Sequence, residues 1–282
     1  MTNYSPFRKI QAKEQVFIET RIRVADELES FRLYAEYLTV KDGKSKGDSG
    51  KARSYAGYLI RSIIFFEEIF DAVFPAFESI DAYHAVEQLR NIPSYKSFNA
   101  AEGSFLNAAI NCFQSYIIHR NSLQEHPIDR AVDEYFYSTK QSELILDLPV
   151  ISEATERYGK VQIAGRQAYP RNIKETIKSK SAHRWRCEMD QNHKTFTDQN
   201  SRPYVEGHHL LPMATQDLFH NTIDFAENIA CLCPTCHRQI HYAIKDEKLP
   251  LVETLYERRK HKYEQFGILI QKDELLSFYG IL

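Results

Sequence analysis

The sequence predicts a mainly α protein with a small α+β part: a helical N-terminal domain over residues 1–150 and a mixed, metal-binding C-terminal domain over residues 151–282. Three observations carry this. Apolar residues recur at helical intervals through the first half, which shows neither strand-like alternation nor an internal repeat. Cysteine and histidine gather between Cys187 and His241 at ligand spacings. The local charge changes sign near Arg157.

In order along the chain, Gln15 to Leu38 reads as a helix with Phe17, Val24, Leu28, Phe31, Ala35 and Leu38 on one stripe, interrupted by Arg21. The loop VKDGKSKGDSGKA follows. Arg53 to Phe70 is a second helix, and shorter ones fall near Ile80–Leu89 and Ala100–Ile118. Asn121–Ser152 reads as an acidic linker; residues 101–150 hold three basic residues against seven acidic ones. From Arg157 to Arg186 nine basic residues face Glu175 alone. A solvated helix face is the bland explanation of such a run. Its place directly before the ligand-rich segment favours a phosphate-facing surface built from Arg166, Arg171, Lys174, Lys178, Lys180, Arg184 and Arg186, with Arg238 beyond.

The 282 residues suffice for two domains and a sizeable core. At 43% hydrophobic and 26% charged, the composition excludes global disorder. A net charge of −2 excludes a polycationic tail protein, so any nucleic-acid affinity must be local. No apolar run approaches the roughly 18 residues of a membrane span. The start MTNYSPFRKIQAKEQ lacks an apolar signal core, and the expected location is cytoplasmic. The five cysteines are odd in number and three of them, Cys231, Cys233 and Cys236, fall within six positions, a pattern of metal binding rather than disulfides.

Two donor sets emerge. Cys233 and Cys236 have zinc-knuckle spacing, and Cys187 with His193 is the nearest second pair. Asp190 stands where a C-x2-C partner of Cys187 would fall; His193 is preferred to it because structural zinc favours nitrogen and sulfur donors. The second set is His208, His237 and His241. His237 and His241 lie four apart on a helix, hence on one face, and His208 comes from a facing strand. Three imidazoles leave coordination positions open, as catalytic sites do, and His209 is then free to act as a base. Locally, Lys194–Phe196 and Tyr204–Leu210 around the turn DQNSR read as a hairpin, Asn228–Leu232 as a strand, and Cys236–Ala243 as a helix entered through Pro234. The C-x-x-C-H haem pattern also fits C-P-T-C-H but leaves the other histidines and Cys187 without a role. His126 and the remaining lone histidines read as ordinary surface or core residues, and Cys112 and Cys231 as buried thiols.

The motifs E-G-H-H-L-L-P and N-I-A-C-L-C-P-T-C-H-R-Q-I-H together resemble the HNH (ββα-metal) nuclease family, in its restriction-associated, cysteine-bearing form. The histidine pair, Asn228, and histidines nine and thirteen positions after it carry the likeness. The resemblance implies a zinc-containing nuclease domain of strand–strand–helix form. His209 would be the general base and Asn228 would hold the backbone beside it. His208, His237 and His241 would bind Mg²⁺ or Mn²⁺, and Cys187, His193, Cys233 and Cys236 structural Zn²⁺. The implied activity is hydrolysis of double-stranded DNA to 5′-phosphate and 3′-hydroxyl ends in restriction or defence, by a homodimer, with a cognate methyltransferase where modification blocks cutting. The rivals are a mobile-element nuclease and a catalytically silent zinc DNA-binding protein.

The segment KARSYAGYLIRSIIFFEEIF resembles the helical DNA-binding module in front of recombinase catalytic domains, with Lys44, Lys46, Lys51, Arg53 and Arg61 as contacts; core packing is the weightier reading of its aromatics. At the C-terminus, Val252–Phe266 reads as helix, Ile268–Ile270 as strand and Lys272–Tyr279 as helix.

Overall fold

The structure is a computed structural model that describes residues 5–41, 50–139, 149–163 and 165–281. These are mostly helical, with two two-stranded sheets among the described residues. They form two compact units, one up to Arg120 and one from Asn121 to Ile281. Among the described residues no helix is long and apolar enough to cross a membrane.

The first unit holds α1 (Gln15–Arg23), α2 (Ala25–Lys41), α3 (Lys51–Phe70), α4 (Ile80–Arg90), α5 (Tyr95–Ala101) and the start of α6 (Phe105–Ser138). The single helix expected from Gln15 is divided at Val24, whose φ of −110° and ψ of 28° leave helical geometry. In α3, Leu59, Ile63, Ile64 and Phe65 are buried, so its apolar stripe is core. Phe7, Phe65 and Phe98, and separately Phe31, Phe74, Phe77 and Phe113, meet mostly edge to face, the arrangement the ring quadrupole favours. Arg61 is turned inward: it donates to the Ile10 and Gly57 carbonyls and lies over the Phe17 and Tyr58 rings. Lys44 and Lys46 lie outside the described residues; Lys51 and Arg53 are exposed.

The stretch expected as a linker is helix as far as Ser138, with Pro127 inside it; residues 140–148 lie outside the described residues. Its acidic residues and proline suggest a linker, but Ile128 and Phe136 are buried at helical spacing and fasten it to the second unit.

That unit continues with β1 (Val161–Ile163) and β2 (Arg166–Ala168), a small hairpin that the residue pattern does not signal, then α7 (Ile173–Ala182). The strands of the strand–strand–helix finger are β3 (Glu206–His209) and β4 (Ile229–Leu232), paired antiparallel with His208 opposite Ala230 and His209 opposite Ile229. The expected hairpin across DQNSR is only an isolated bridge, Thr197 to Pro203, although the turn is real: Asp198 accepts from the Asn200 and Arg202 amides. Pro203 has no N–H to extend a ladder. At Gly207 α7 comes so close that an added Cβ would stand 3.0 Å from the Thr176 methyl.

Next comes α8 (Pro234–Tyr242), opened by Cys233, whose sulfur accepts from the Cys236 amide, with Pro234 where no donor is needed. Then α9 (Lys245–Tyr263) starts seven residues earlier than expected. Residues 268–270 form no strand, and α10 (Lys272–Phe278) closes the described chain.

Candidate metal centre and base

Helix α8 contributes to both donor clusters. Cys187, His193, Cys233 and Cys236 bring four ligand atoms within 4.8 Å of one another. His193 Nδ1 stands 3.4 Å from both Cys233 and Cys236 sulfurs. Asp190 is outside the set: its carboxylate takes the Asn192 amide and lies 3.9 Å from His193 Nε2. The Cys187 thiol is held down to about 4, first by its hydrogen bond with Cys236; the same bond pushes Cys236 up, and burial pushes Cys233 up. Three sulfurs and an imidazole so close together suit a borderline-soft cation such as Zn²⁺, whose binding releases thiol protons.

His208, His237 and His241 form the second cluster, again within 4.8 Å. The ring centroids are 4.8 to 5.1 Å apart. Burial, then the neighbouring His241 and His237, hold His208 well below the usual imidazole range, so it is neutral, as a ligand must be. His237 Nδ1 is 2.7 Å from Glu206 Oε2, and burial of that carboxylate is outweighed by the His237 contact, which keeps it ionised. His208 Nε2 is 2.8 Å from the Tyr279 hydroxyl, which gives its one proton to the Leu210 carbonyl and so accepts from His208. Both contacts are of the outer kind that orients metal-bound imidazoles; Nε2 of His237 and Nδ1 of His208 face away from these partners. The donor set therefore fits a divalent ion.

Beside it stands His209, buried, its Nε2 2.8 Å from Asp224 Oδ1 and its Nδ1 3.8 Å from Asp129 Oδ1. Asn228 is fully buried. Its side chain takes the Leu211 amide and the Tyr263 hydroxyl, and donates to the Leu211 and Ile223 carbonyls; its backbone oxygen takes the Leu210 amide. It thereby clamps the chain immediately after His209.

The expected phosphate-facing surface is only partly at the surface. Arg184, Arg186 and Arg238 are exposed, while Arg166, Lys174 and Lys178 are half-buried. Arg171 and Lys180 do not join it. The Arg171 side chain is 3% exposed and pairs with Glu125 at 2.7 Å and Asp129 at 2.6 Å. Lys180 is 0% exposed, pairs with Asp133 at 2.5 Å, and lies over the Tyr137 ring. Their counter-ions come from the C-terminal end of α6, so the acidic and basic stretches neutralise each other inside the unit.

Sequence reasoning missed Glu206, Asp224, Asp129 and Tyr279, and treated His126 as ordinary although its ring lies 4.3 Å from His241. Glu206, two before His208 on the same face of a strand, was the only one with a local signal.

The second unit thus contains a strand–strand–helix finger, β3, β4 and α8, with a Cys3His cluster, a three-histidine cluster and an adjacent histidine. Over 70 residues the chain is 36% identical to the type IV methyl-directed restriction enzyme EcoKMcrA of Escherichia coli (strain K12). The match covers 25% of this chain and 23% of that protein, under a quarter of the relative's length. No family model and no solved structure matches the chain.

Proposed function

We propose that this chain is a metal-dependent DNA endonuclease of the HNH type that serves in restriction or defence. The observation that carries the reading is the three-histidine cluster on β3 and α8, with His209 beside it on β3 and Asn228, at the turn that enters β4, clamping the backbone. The partial likeness to a methyl-directed restriction enzyme supports the biological role and favours methylated duplex DNA as substrate. Such an enzyme needs no cognate methyltransferase; a modification-blocked one would.

Zn²⁺ on Cys187, His193, Cys233 and Cys236 would brace the finger. A divalent ion on His208, His237 and His241 would supply Lewis-acid charge at the scissile phosphate and leaving oxygen. Imidazole donors suit Mn²⁺ as well as Mg²⁺. His209 takes a proton from water, and the water oxygen bonds to phosphorus. The bond to the 3′ oxygen breaks with its electron pair, and that oxygen takes a proton from solvent. The ends are a 5′-phosphate and a 3′-hydroxyl. Arg184, Arg186 and Arg238 are the exposed cations for duplex phosphates. One such site cuts one strand, so a twofold homodimer accounts for double-strand cutting; gel filtration showing only monomer with and without DNA would remove that element.

The test is cleavage of methylated and unmethylated supercoiled plasmid with Mg²⁺ or Mn²⁺, beside His209→Ala. Discrete linear fragments from the wild type, with turnover lowered about 10²–10⁴-fold in the variant, are expected. Binding without cutting of either DNA would overturn the nuclease reading in favour of a zinc DNA-binding module.

A further inference from the structure

We propose that Asp224 is the positioning residue of the His209 base: its carboxylate holds the imidazole as the Nε2–H tautomer and makes Nδ1 the atom that accepts the proton. The inference rests on the nuclease reading and gives a role to a residue outside both donor sets.

A carboxylate only accepts hydrogen bonds, so the 2.8 Å contact between Asp224 Oδ1 and His209 Nε2 places the proton on Nε2. The carboxylate is itself held. Its Oδ2 accepts from the Asn172 amide at 2.6 Å, and the Asp224 amide donates to Thr222 Oγ1 at 3.2 Å. Asp224 is buried, and Arg171 lies close enough to feel its charge.

His209 Nδ1, by contrast, is buried and makes no hydrogen bond. It belongs to a small pocket lined in part by Asp129, Arg171, Thr176 and Gly207. Buried polar atoms are nearly always satisfied, and an exception at a site calls for a reason. A lone pair kept available for a proton is such a reason. The protonated ring would lie between two carboxylates, Asp224 on one nitrogen and Asp129 3.8 Å from the other. Asn228 and Asp224 therefore hold His209 in complementary ways. Asn228 fixes the backbone after it, and Asp224 fixes the rotation and tautomer of its ring.

The test uses the full zinc-bearing chain with ¹⁵N-labelled histidine. Long-range ¹H–¹⁵N correlations of the wild type, assigned with His209→Ala, are expected to show Nε2–H at His209. Asp224→Asn keeps the shape and an acceptor for Asn172, but its amide can donate to Nε2 and favour the opposite tautomer. We expect kcat to fall about 10²–10⁴-fold, with KM for DNA and zinc content unchanged; the equivalent change in a Ser-His-Asp hydrolase costs about 10⁴-fold. An Nδ1–H signal in the wild type, or turnover of Asp224→Asn within about threefold of wild type, would overturn the proposal. Should the variant fail to fold, the wild-type spectrum decides alone. A wild type that cuts no DNA would count against the nuclease reading, while the spectrum would still decide the tautomer.

Discussion

The two donor clusters share one short helix and differ in almost everything else. Cys233 and Cys236 open α8, and His237 and His241 follow on it. Neighbouring positions such as Cys236 and His237 point about 100° apart on a helix of 3.6 residues per turn, so the clusters face different ways. The cysteine cluster supplies four donors, enough to fill a tetrahedral ion, and its fourth member comes from an exposed loop. The histidine cluster supplies three, braced from behind by Glu206 and Tyr279, with a separate imidazole alongside. The first is suited to holding a fold together and the second to holding an ion with positions to spare. A strand–strand–helix finger of this size can do both because one helical turn presents ligands in two directions.

The contrast breaks most visibly through the cysteines. Zinc in small fingers contributes about 10–16 kcal/mol of apparent folding free energy. Cys236→Ser is expected to lose one zinc per chain by elemental analysis and the hydrogen-exchange protection of the β4 amides. Retained protection would show that the cluster does not support the fold.

Arg171→Ala comes next. It leaves the half-buried Asp129 and Glu125 without their cation; breaking a fully buried pair costs about 3–5 kcal/mol, and the partial exposure of these carboxylates lowers that here. A lower denaturant midpoint is expected, with the salt dependence of DNA binding unchanged. A weaker salt dependence would return Arg171 to the phosphate-facing surface.

Glu206→Gln sharpens the comparison at the other cluster. Losing an outer carboxylate typically weakens metal binding about 10–100-fold. Mn²⁺ titration by calorimetry should show that loss while zinc content stays constant; equal loss of both metals would mean the clusters are not independent. The smallest effect belongs to Arg184→Ala or Arg238→Ala. Removing one phosphate contact should lower the slope of log affinity against log salt by about 1. An unchanged slope would take that side chain off the DNA surface.

Much of the site was legible because its signals are local. Cys233-x2-Cys236 lies within one cap, and His237 and His241 within one turn, so spacing alone puts their side chains on common faces. The hairpin was misplaced because strand partners are chosen across the chain: β3 pairs with β4, 20 residues on, and not with the nearer Lys194–Phe196. The end of α6 was missed for a related reason. Asp129 and Asp133 resemble solvated charges in sequence, as do Arg171 and Lys180, but each set is the other's counter-ion.

What the residues dictated alone was chemistry: which atoms are soft donors, which are imidazoles, and which of them one helical turn must bring together. Folding settled which charges meet water and which meet each other, because a buried charge is tolerated only beside its opposite and the opposites here lie more than 40 residues apart. It also settled how His209 is held, since Asp224 lies 15 residues away and reaches the ring only because β4 folds back beside β3.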